Sequence, residues 1–149
     1  MLQAVTFDHW GTLVEADHSN KGERISYLLQ HLPDLDPQAI SRAWDTSWGH
    51  FHKLLFSGIS PSTPTFLSFV LDELGIALDP TAFQAVLRYW QEAMLDAPPT
   101  LLPGVGDVLE AVRGQGLRVG LISDTGVTPG AVLRERLRQT GLLPYFDWL

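Results

Sequence analysis

The sequence predicts an α/β fold, a partial Rossmann-like parallel sheet core into which a four-helix cap domain is inserted. A short apolar run at residues 5–7 ends at Asp8 and then breaks into a Gly11–Thr12 turn, as at the tip of a buried strand. Apolar residues then recur at helical spacing as far as Met94. After Leu101 the pattern becomes a helix, a turn and a strand, which is typical of parallel α/β units. We therefore expect a discontinuous core at residues 1–15 and 98–149, with a helical cap at 16–97.

Four amphipathic helices are expected in the cap, because apolar side chains return at steps of three and four. Three of them begin at a polar residue followed by proline, namely Asp36, Thr63 and Asp79. Proline costs nothing in the first turn, and the polar side chain can accept a hydrogen bond from a first-turn amide. Gly75 and Pro98–Pro99 are expected to end helices. The apolar positions are Ile25, Leu28, Leu29 and Leu32; Ile40, Trp44, Trp48, Phe51 and Leu55; Phe66, Phe69, Val70 and Leu74; and Phe83, Val86, Leu87, Trp90 and Met94.

The second part of the core contains two further helices and up to two strands. Val105, Val108 and Leu109 indicate a helix, and residues 117–122 form a strand after a glycine-rich turn. Thr128–Pro129 begins a helix that runs to about residue 138 and is closed by Gly141. Residues 145–149 are expected to begin one more strand.

The composition excludes several classes of function. The 149 residues include no cysteine, which removes disulfides, thiolate catalysis and the common structural zinc sites. A net charge of −7 argues against non-specific nucleic-acid binding, because Lys21 and Lys53 are the only lysines. No stretch is long enough for a membrane helix, and the start lacks the features of a signal peptide. We expect a cytoplasmic protein that acts on a small molecule.

Two segments carry a family resemblance. Residues 5–13, Val-Thr-Phe-Asp-His-Trp-Gly-Thr-Leu, resemble the first motif of the haloacid dehalogenase-like hydrolase superfamily. Residues 121–126, Leu-Ile-Ser-Asp-Thr-Gly, are similar to the second motif, a serine or threonine at the tip of the next core strand. The two motifs lie in the family's order, on either side of a helical insert like the cap of dehalogenases and phosphoglycolate phosphatases.

The resemblance implies a site at the tips of two neighbouring parallel strands. Asp8 would be the covalent nucleophile, attacking a phosphoryl group or a carbon that bears halide. Ser123 would bind the transferred group, with Asp124, Thr125 and Thr12 as further substrate-binding residues. In the phosphatases of the family magnesium is bound as well, which here would engage the Asp8 carboxylate and the backbone carbonyl of Trp10.

Trp10 departs from the phosphatase pattern, since it stands where those enzymes carry a second aspartate that donates and accepts protons. Loss of such a group costs on the order of 10²–10⁴ in rate. Haloacid dehalogenases often have an aromatic residue there and need no metal, so a 2-haloacid dehalogenase is the alternative enzyme. Arg42 lies in roughly the helix from which these enzymes bind the substrate carboxylate, although a solvated arginine on an amphipathic helix explains it more simply.

The family's third and fourth motifs, a lysine and an acidic strand tip, have no match after Ser123. Arg134, Arg136 and Arg138 do follow it, but we interpret them as solvent-facing residues of one helix. Turnover is therefore expected to be weak or absent, and a degenerate member that binds a ligand or partner without catalysis is a further alternative.

The small core also predicts self-association. In the family the strand that carries the nucleophile lies inside the sheet, whereas here one of its edges is expected to lack a neighbour. An unpaired strand edge invites another chain, so we expect a homo-oligomer.

Overall fold

The computed structural model describes residues 2–16 and 20–149. Met1 and residues 17–19, which the sequence analysis places in the core and at the start of the cap, lie outside the described residues. The elements, in chain order, are strand β1 (Ala4–Phe7), helices α1 (Lys21–His31), α2 (Pro37–Phe56), α3 (Thr63–Leu74), α4 (Pro80–Asp96) and α5 (Val105–Gly114), strand β2 (Arg118–Leu121), helix α6 (Gly130–Gln139) and a 3₁₀ turn (Leu143–Tyr145).

The described chain divides into two compact units. The α/β unit consists of the described residues of 1–19, 94–125 and 130–149, and the helical unit consists of 20–93 and 126–129. The α/β fold class with four consecutive inserted helices is thereby confirmed. The core and cap boundaries expected from the sequence stay a prediction.

The sheet of the α/β unit is parallel, with Ala4 opposite Arg118 and Phe7 opposite Leu121. On the other side of β2, Trp148 forms a parallel bridge with Gly120, and its carbonyl accepts a hydrogen bond of 3.0 Å from the amide of Leu121. The final segment therefore extends the sheet beside β2.

The strand expected at 145–149 is confirmed only in its last part. Tyr145 belongs to the 3₁₀ turn, because its amide donates back to the Leu142 carbonyl at 3.0 Å. Pairing with β2 begins at Asp147, whose amide donates to the Val119 carbonyl at 2.7 Å.

A hydrophobic cluster forms the core of the α/β unit and includes side chains from β2, α5 and α6. Burial of these side chains supplies the main favourable term that holds the short strands in place. Its fully buried members include Leu13, Met94, Leu109, Val119 and Leu137.

In the helical unit the predicted caps are confirmed at two helices and wrong at a third. The Asp36 carboxylate accepts a hydrogen bond from the amide of Gln38, and Asp79 caps α4 in the same way. Gly75 ends α3 in the left-handed conformation, as expected. Thr63 is not a cap: it lies inside α3, and its hydroxyl donates 2.8 Å to the Val127 carbonyl, 64 residues away.

The core of the helical unit is aromatic and contains one buried cation. Trp44, Phe66 and Trp90 pack together with ring centroids 4.7–5.9 Å apart. Arg24 is 1% exposed and donates through Nε and Nη2 to the Trp90 carbonyl, while Trp90 Nε1 donates to the Arg24 carbonyl. Burial lowers the pKa of Arg24 to about 10, so it stays charged at neutral pH. No helix of the described residues has the length and apolarity needed to cross a bilayer.

Candidate active site

The two tips of the parallel strands carry the two sequence-predicted groups. Asp8 directly follows β1 and is exposed, and its Oδ1 accepts a hydrogen bond of 2.6 Å from the amide of His9. The amide of Ile122 donates to the Phe7 carbonyl at 2.9 Å, which continues the strand pairing to the residue before Ser123. Because paired strands lie about 4.8 Å apart, Asp8 and Ser123 stand at the same rim of the sheet, on adjacent strands.

A compact turn holds the backbone that follows Asp8. The His9 carbonyl accepts hydrogen bonds from the amides of Leu13 and Val14, at 2.9 and 3.1 Å, and both of these side chains are buried. The turn passes through Gly11, whose φ of +70° is open to glycine at little cost. Thr12, a predicted substrate-binding residue, is exposed on this turn.

His9 lies beside Asp8 but is unsuited to act as an acid. Its side chain is 1% exposed, and neither ring nitrogen has a hydrogen-bond partner among the described residues. Burial lowers the pKa of His9 to about 4; nearby Asp8 partly opposes this shift and Arg136 adds to it. The ring is therefore neutral at pH 7, and it packs edge-on against the half-buried Trp10 with centroids 4.8 Å apart.

The tip of β2 opens onto a cavity. Ser123 Oγ is shielded from solvent and has no hydrogen-bond partner among the described residues. Asp124 is exposed and does not line the cavity. The cavity has a volume of about 270 Å³ and is lined by Ser123, Thr125, Leu121, Gly130, Ala131, Leu133, Arg134 and Leu149. The structure thus brings Ser123 and Thr125 together at one cavity, while Asp8 stands at the neighbouring strand tip.

The donors around Asp8 do not make a complete magnesium site. Across residues 2–16 and 20–149, no group of three or more His, Asp or Glu side chains could hold a metal ion. The donors implied by the resemblance are the Asp8 carboxylate and the Trp10 carbonyl, so water or substrate would have to supply the other four of the six ligands of an octahedral magnesium ion. No step of the chemistry is therefore assigned to a metal.

The position of Arg134 at this cavity was not predicted from the sequence. It is exposed, as expected, but it also lines the cavity with Ser123 and Thr125. Arg138, on the same helix, is different, since its Nε and Nη2 donate to the Glu135 carboxylate at 2.8 and 2.6 Å. The available signal was its spacing: Arg134 lies one helical turn after Gly130, where the helix that follows the second motif begins.

The arginine considered for the dehalogenase reading lies in the helical unit. Arg42 is exposed on α2, with Nη2 3.8 Å from the Asp36 carboxylate. This is the arrangement of an ordinary solvated ion pair, which contributes little to the stability of the fold.

No protein-family model matches the sequence, and comparison with curated proteins gives no match either. Solved structures do match. A protein assigned as a HAD-hydrolase, YfnB from Bacillus subtilis, bound to magnesium, is 17% identical with a TM-score of 0.63. A protein assigned as a beta-phosphoglucomutase from Thermotoga maritima is 20% identical with a TM-score of 0.63, and the L-2-haloacid dehalogenase RSc1362 is 20% identical with a TM-score of 0.52.

These likenesses cover 99% of this chain and 60–62% of each matched chain, so the protein spans about three fifths of their length. A protein assigned as a phosphoglucomutase and a dehalogenase are both among them, so the shared feature is the architecture and not one reaction. The resemblance first drawn from the two strand-tip motifs is confirmed at the level of structure: this chain has the haloacid dehalogenase-like hydrolase fold.

Proposed function

We propose that this chain is a haloacid dehalogenase-like hydrolase that cleaves a small phosphorylated metabolite slowly, with Asp8 as nucleophile. The observation that carries the proposal is the position of Asp8, exposed at the tip of β1, at the same rim as Ser123 on the adjacent parallel strand. An Asp8 oxygen attacks phosphorus, the bond from phosphorus to the leaving oxygen breaks, and an aspartyl phosphate forms. Water then attacks phosphorus, which releases inorganic phosphate and regenerates the carboxylate.

Ser123 and Thr125 bind the phosphoryl oxygens in this proposal, with Asp124 and Thr12 at the margins of the site. The Ser123 hydroxyl supports this role because it stands at the tip of β2 and has no hydrogen-bond partner among the described residues. A bound phosphate oxygen would satisfy it and recover the cost of leaving a buried polar group unpaired. Magnesium, bound in the YfnB structure, is at most an activator here, with Asp8 and the Trp10 carbonyl as its protein ligands.

Slow turnover follows from Trp10. An indole ring cannot protonate the departing oxygen, and the nearby His9 ring is neutral and buried. The expected deficit is on the order of 10²–10⁴ in rate for leaving groups that need a proton. Aryl phosphates, whose leaving oxygen is stable as an anion, are therefore the substrates on which activity is most readily seen.

The test compares an aryl phosphate, with and without magnesium, against a short chlorinated acid. Asp8→Asn is the matched blank, because the amide has nearly the same size and lacks the nucleophilic oxygen. Phosphate release that disappears in Asp8→Asn is the expected result. Phosphate release that persists in Asp8→Asn would refute the assignment of the nucleophile.

A 2-haloacid dehalogenase is the second candidate, favoured by the aromatic residue at position 10 and by the likeness to RSc1362. It would release halide without metal, again only with Asp8 present. A chain that binds a ligand or partner without turning it over is the third candidate, and silence in both assays would select it.

We also propose that the protein self-associates through the edge of β1. Among the described residues β1 pairs with β2 alone, so its other edge carries unpaired amides and carbonyls. A second copy could pair there and close an isologous dimer. Light scattering over a dilution series should show a mass above one chain that falls on dilution, and Thr6→Pro, which removes an amide from β1, should lower it further. A constant monomer mass at high concentration would contradict this proposal.

A further inference from the structure

We propose that one face of the sheet in the α/β unit is the contact surface for a second copy of this chain. The two sheets pack face to face, with the strands of one copy antiparallel to those of the other. This contact uses side chains, so it is distinct from the pairing of backbone groups at the edge of β1, and it does not depend on the proposed hydrolysis. This surface, the open face, consists of Ala4, Thr6, Asp8, Arg118, Gly120, Ile122 and the ring of Trp148.

The helices that connect the strands lie on the opposite face of the sheet. Successive side chains of a strand point to alternate faces, so Val119 and Leu121 share one face and Ile122 points to the other. Val119 and Leu121 are buried in one cluster with side chains of α5 and α6. Strand β1, strand β2 and the segment at 147–149 are parallel and lie side by side in chain order, and right-handed connections put both helices on the same side of such a sheet. The open face is therefore covered by neither α5 nor α6.

Apolar side chains are exposed on the open face. Ile122 is 67% exposed, and Trp148 is 40% exposed although its ring lies against Gly120, where a Cβ would clash with it. Parallel sheets are normally covered on both faces, because their strands otherwise leave apolar surface in water. A layer supplied by another chain would bury these side chains.

The charges of the open face point to a second copy as that layer. Asp8 and Arg118 are both exposed and stand at opposite ends of the face, because Arg118 pairs with Ala4 and Asp8 follows Phe7, the last residue of β1. Four residues of strand separate the two levels, a distance of about 13 Å. The Arg118 guanidinium is held on this face, with Cζ 5.3 Å from the centroid of the Trp148 ring. The face thus carries an anion at one end and a cation at the other.

A two-fold axis that runs across the strands at the level of Gly120 makes this surface complementary to itself. It brings Asp8 of each copy to Arg118 of the other, and it places the Ile122 and Trp148 side chains of both copies between the sheets. Packed sheets lie about 10 Å apart, a gap that these side chains can fill and that an arginine and an aspartate can bridge. Two ion pairs and a shared apolar centre therefore form from one surface, whereas an unrelated chain would need a matching charge pattern of its own.

The experiment exchanges the two charges and measures the mass of the full chain by sedimentation velocity over a dilution series. Arg118→Glu and Asp8→Lys should each raise the dimer dissociation constant about tenfold or more, because each variant replaces two pairs of opposite charges by pairs of like charges. An equimolar mixture of the two variants should return the constant to within about threefold of the wild-type value, since both ion pairs form again in the mixed dimer, one of them with its charges reversed.

Matched controls come from the helical unit. Arg88→Glu and Asp34→Lys are exposed and make the same changes in net charge, and they should shift the constant less than about twofold, alone or mixed. Ile122→Gln removes apolar surface without altering the charge and should raise the constant about three- to tenfold, whereas Ile59→Gln, at a residue that is 55% exposed, should not. Thermal melts verify that each variant folds.

Weakened association that the mixture does not restore would overturn the inference, and so would an unchanged constant in Ile122→Gln. Dimers that respond to Thr6→Pro but not to the charge exchange would also overturn it and would place the contact at the edge of β1. A wild-type chain that stays monomeric at every concentration would reject the second copy and leave the open face to a different protein. None of these outcomes bears on hydrolysis, which is judged by Asp8→Asn.

Discussion

Replacement of His9 by leucine should make the protein more resistant to acid. The imidazole is fully buried, and burial lowers its pKa from 6.5 to about 4. In the unfolded chain the ring takes up a proton as the pH falls below 6.5, whereas in the folded protein it does not until about pH 4. The unfolded state therefore binds more protons in this window, and the free energy of unfolding falls as the pH falls.

The size of the effect follows from the two pKa values. Relative to pH 7.5, His9 should cost about 1 kcal/mol at pH 5.5 and about 3 kcal/mol by pH 4. Leucine has a similar volume and does not titrate, so the loss assigned to His9 should vanish in His9→Leu. Carboxylates titrate in both proteins, so the difference between the two pH profiles isolates the histidine.

The assay is urea unfolding followed by tryptophan fluorescence at a series of pH values from 7.5 to 4. The wild type should lose about 3 kcal/mol more than His9→Leu across this range. His52→Gln, which removes an exposed ring, serves as control and should follow the wild type. Parallel profiles for wild type and His9→Leu, or an NMR titration of His9 near pH 6.5, would show that the buried ring is not what destabilises the protein in acid.

Two further substitutions test packing. A Cβ on Gly120 would clash with the Trp148 ring, so Gly120→Ala should lower the free energy of unfolding, measured in urea, by about 1–3 kcal/mol. The control is Gly49→Ala, which has open space in the middle of α2 and should leave the free energy of unfolding unchanged or raise it by up to about 1 kcal/mol. Thr63→Val removes the hydrogen bond from the Thr63 hydroxyl to the carbonyl of Val127 and should cost about 1–3 kcal/mol in urea unfolding. Thr63→Ser keeps the hydroxyl and should retain most of that stability, so equal unfolding midpoints for the two Thr63 variants would refute the prediction.

The features that were predicted correctly from the sequence are mostly those that depend on interactions between residues close together in the chain. Asp36 and Asp79 cap the helices they precede because carboxylate and amide are two or three residues apart. Gly75 ends α3 because glycine adopts the left-handed conformation at little cost. The parallel pairing of β1 with β2 was also expected, from the helix-turn-strand unit after Leu101 and from the resemblance carried by the two motifs.

Features decided by tertiary packing were not predictable. Thr63 has the sequence context of a helix cap, yet its hydroxyl is drawn to the distant Val127 carbonyl. The three arginines of α6 look equivalent in sequence, but the packing of the helix gives each a different neighbour. Arg134 reaches the Ser123 cavity, Arg136 acts on the charge state of His9, and Arg138 pairs with Glu135. The spacing of residues along a helix predicts which side chains share a face, but it does not predict which residues of other elements that face contacts.

Trp10 shows that the framework of the site and its chemistry are specified separately. The turn after β1 is held by backbone hydrogen bonds from Leu13 and Val14 to the His9 carbonyl, which do not use the side chain at position 10, while the Trp10 ring packs against the cluster that contains Leu13. The backbone hydrogen bonds that shape this turn are therefore open to either a carboxylate or an indole at position 10. Proton transfer to the leaving group, in contrast, depends on the side chain at position 10, because the phosphatase pattern places an ionisable group there. If the proposed function holds, residue 10 determines how fast and on which leaving groups the site acts, while the pairing of β1 with β2 and the turn after Asp8 determine where the Asp8 carboxylate stands.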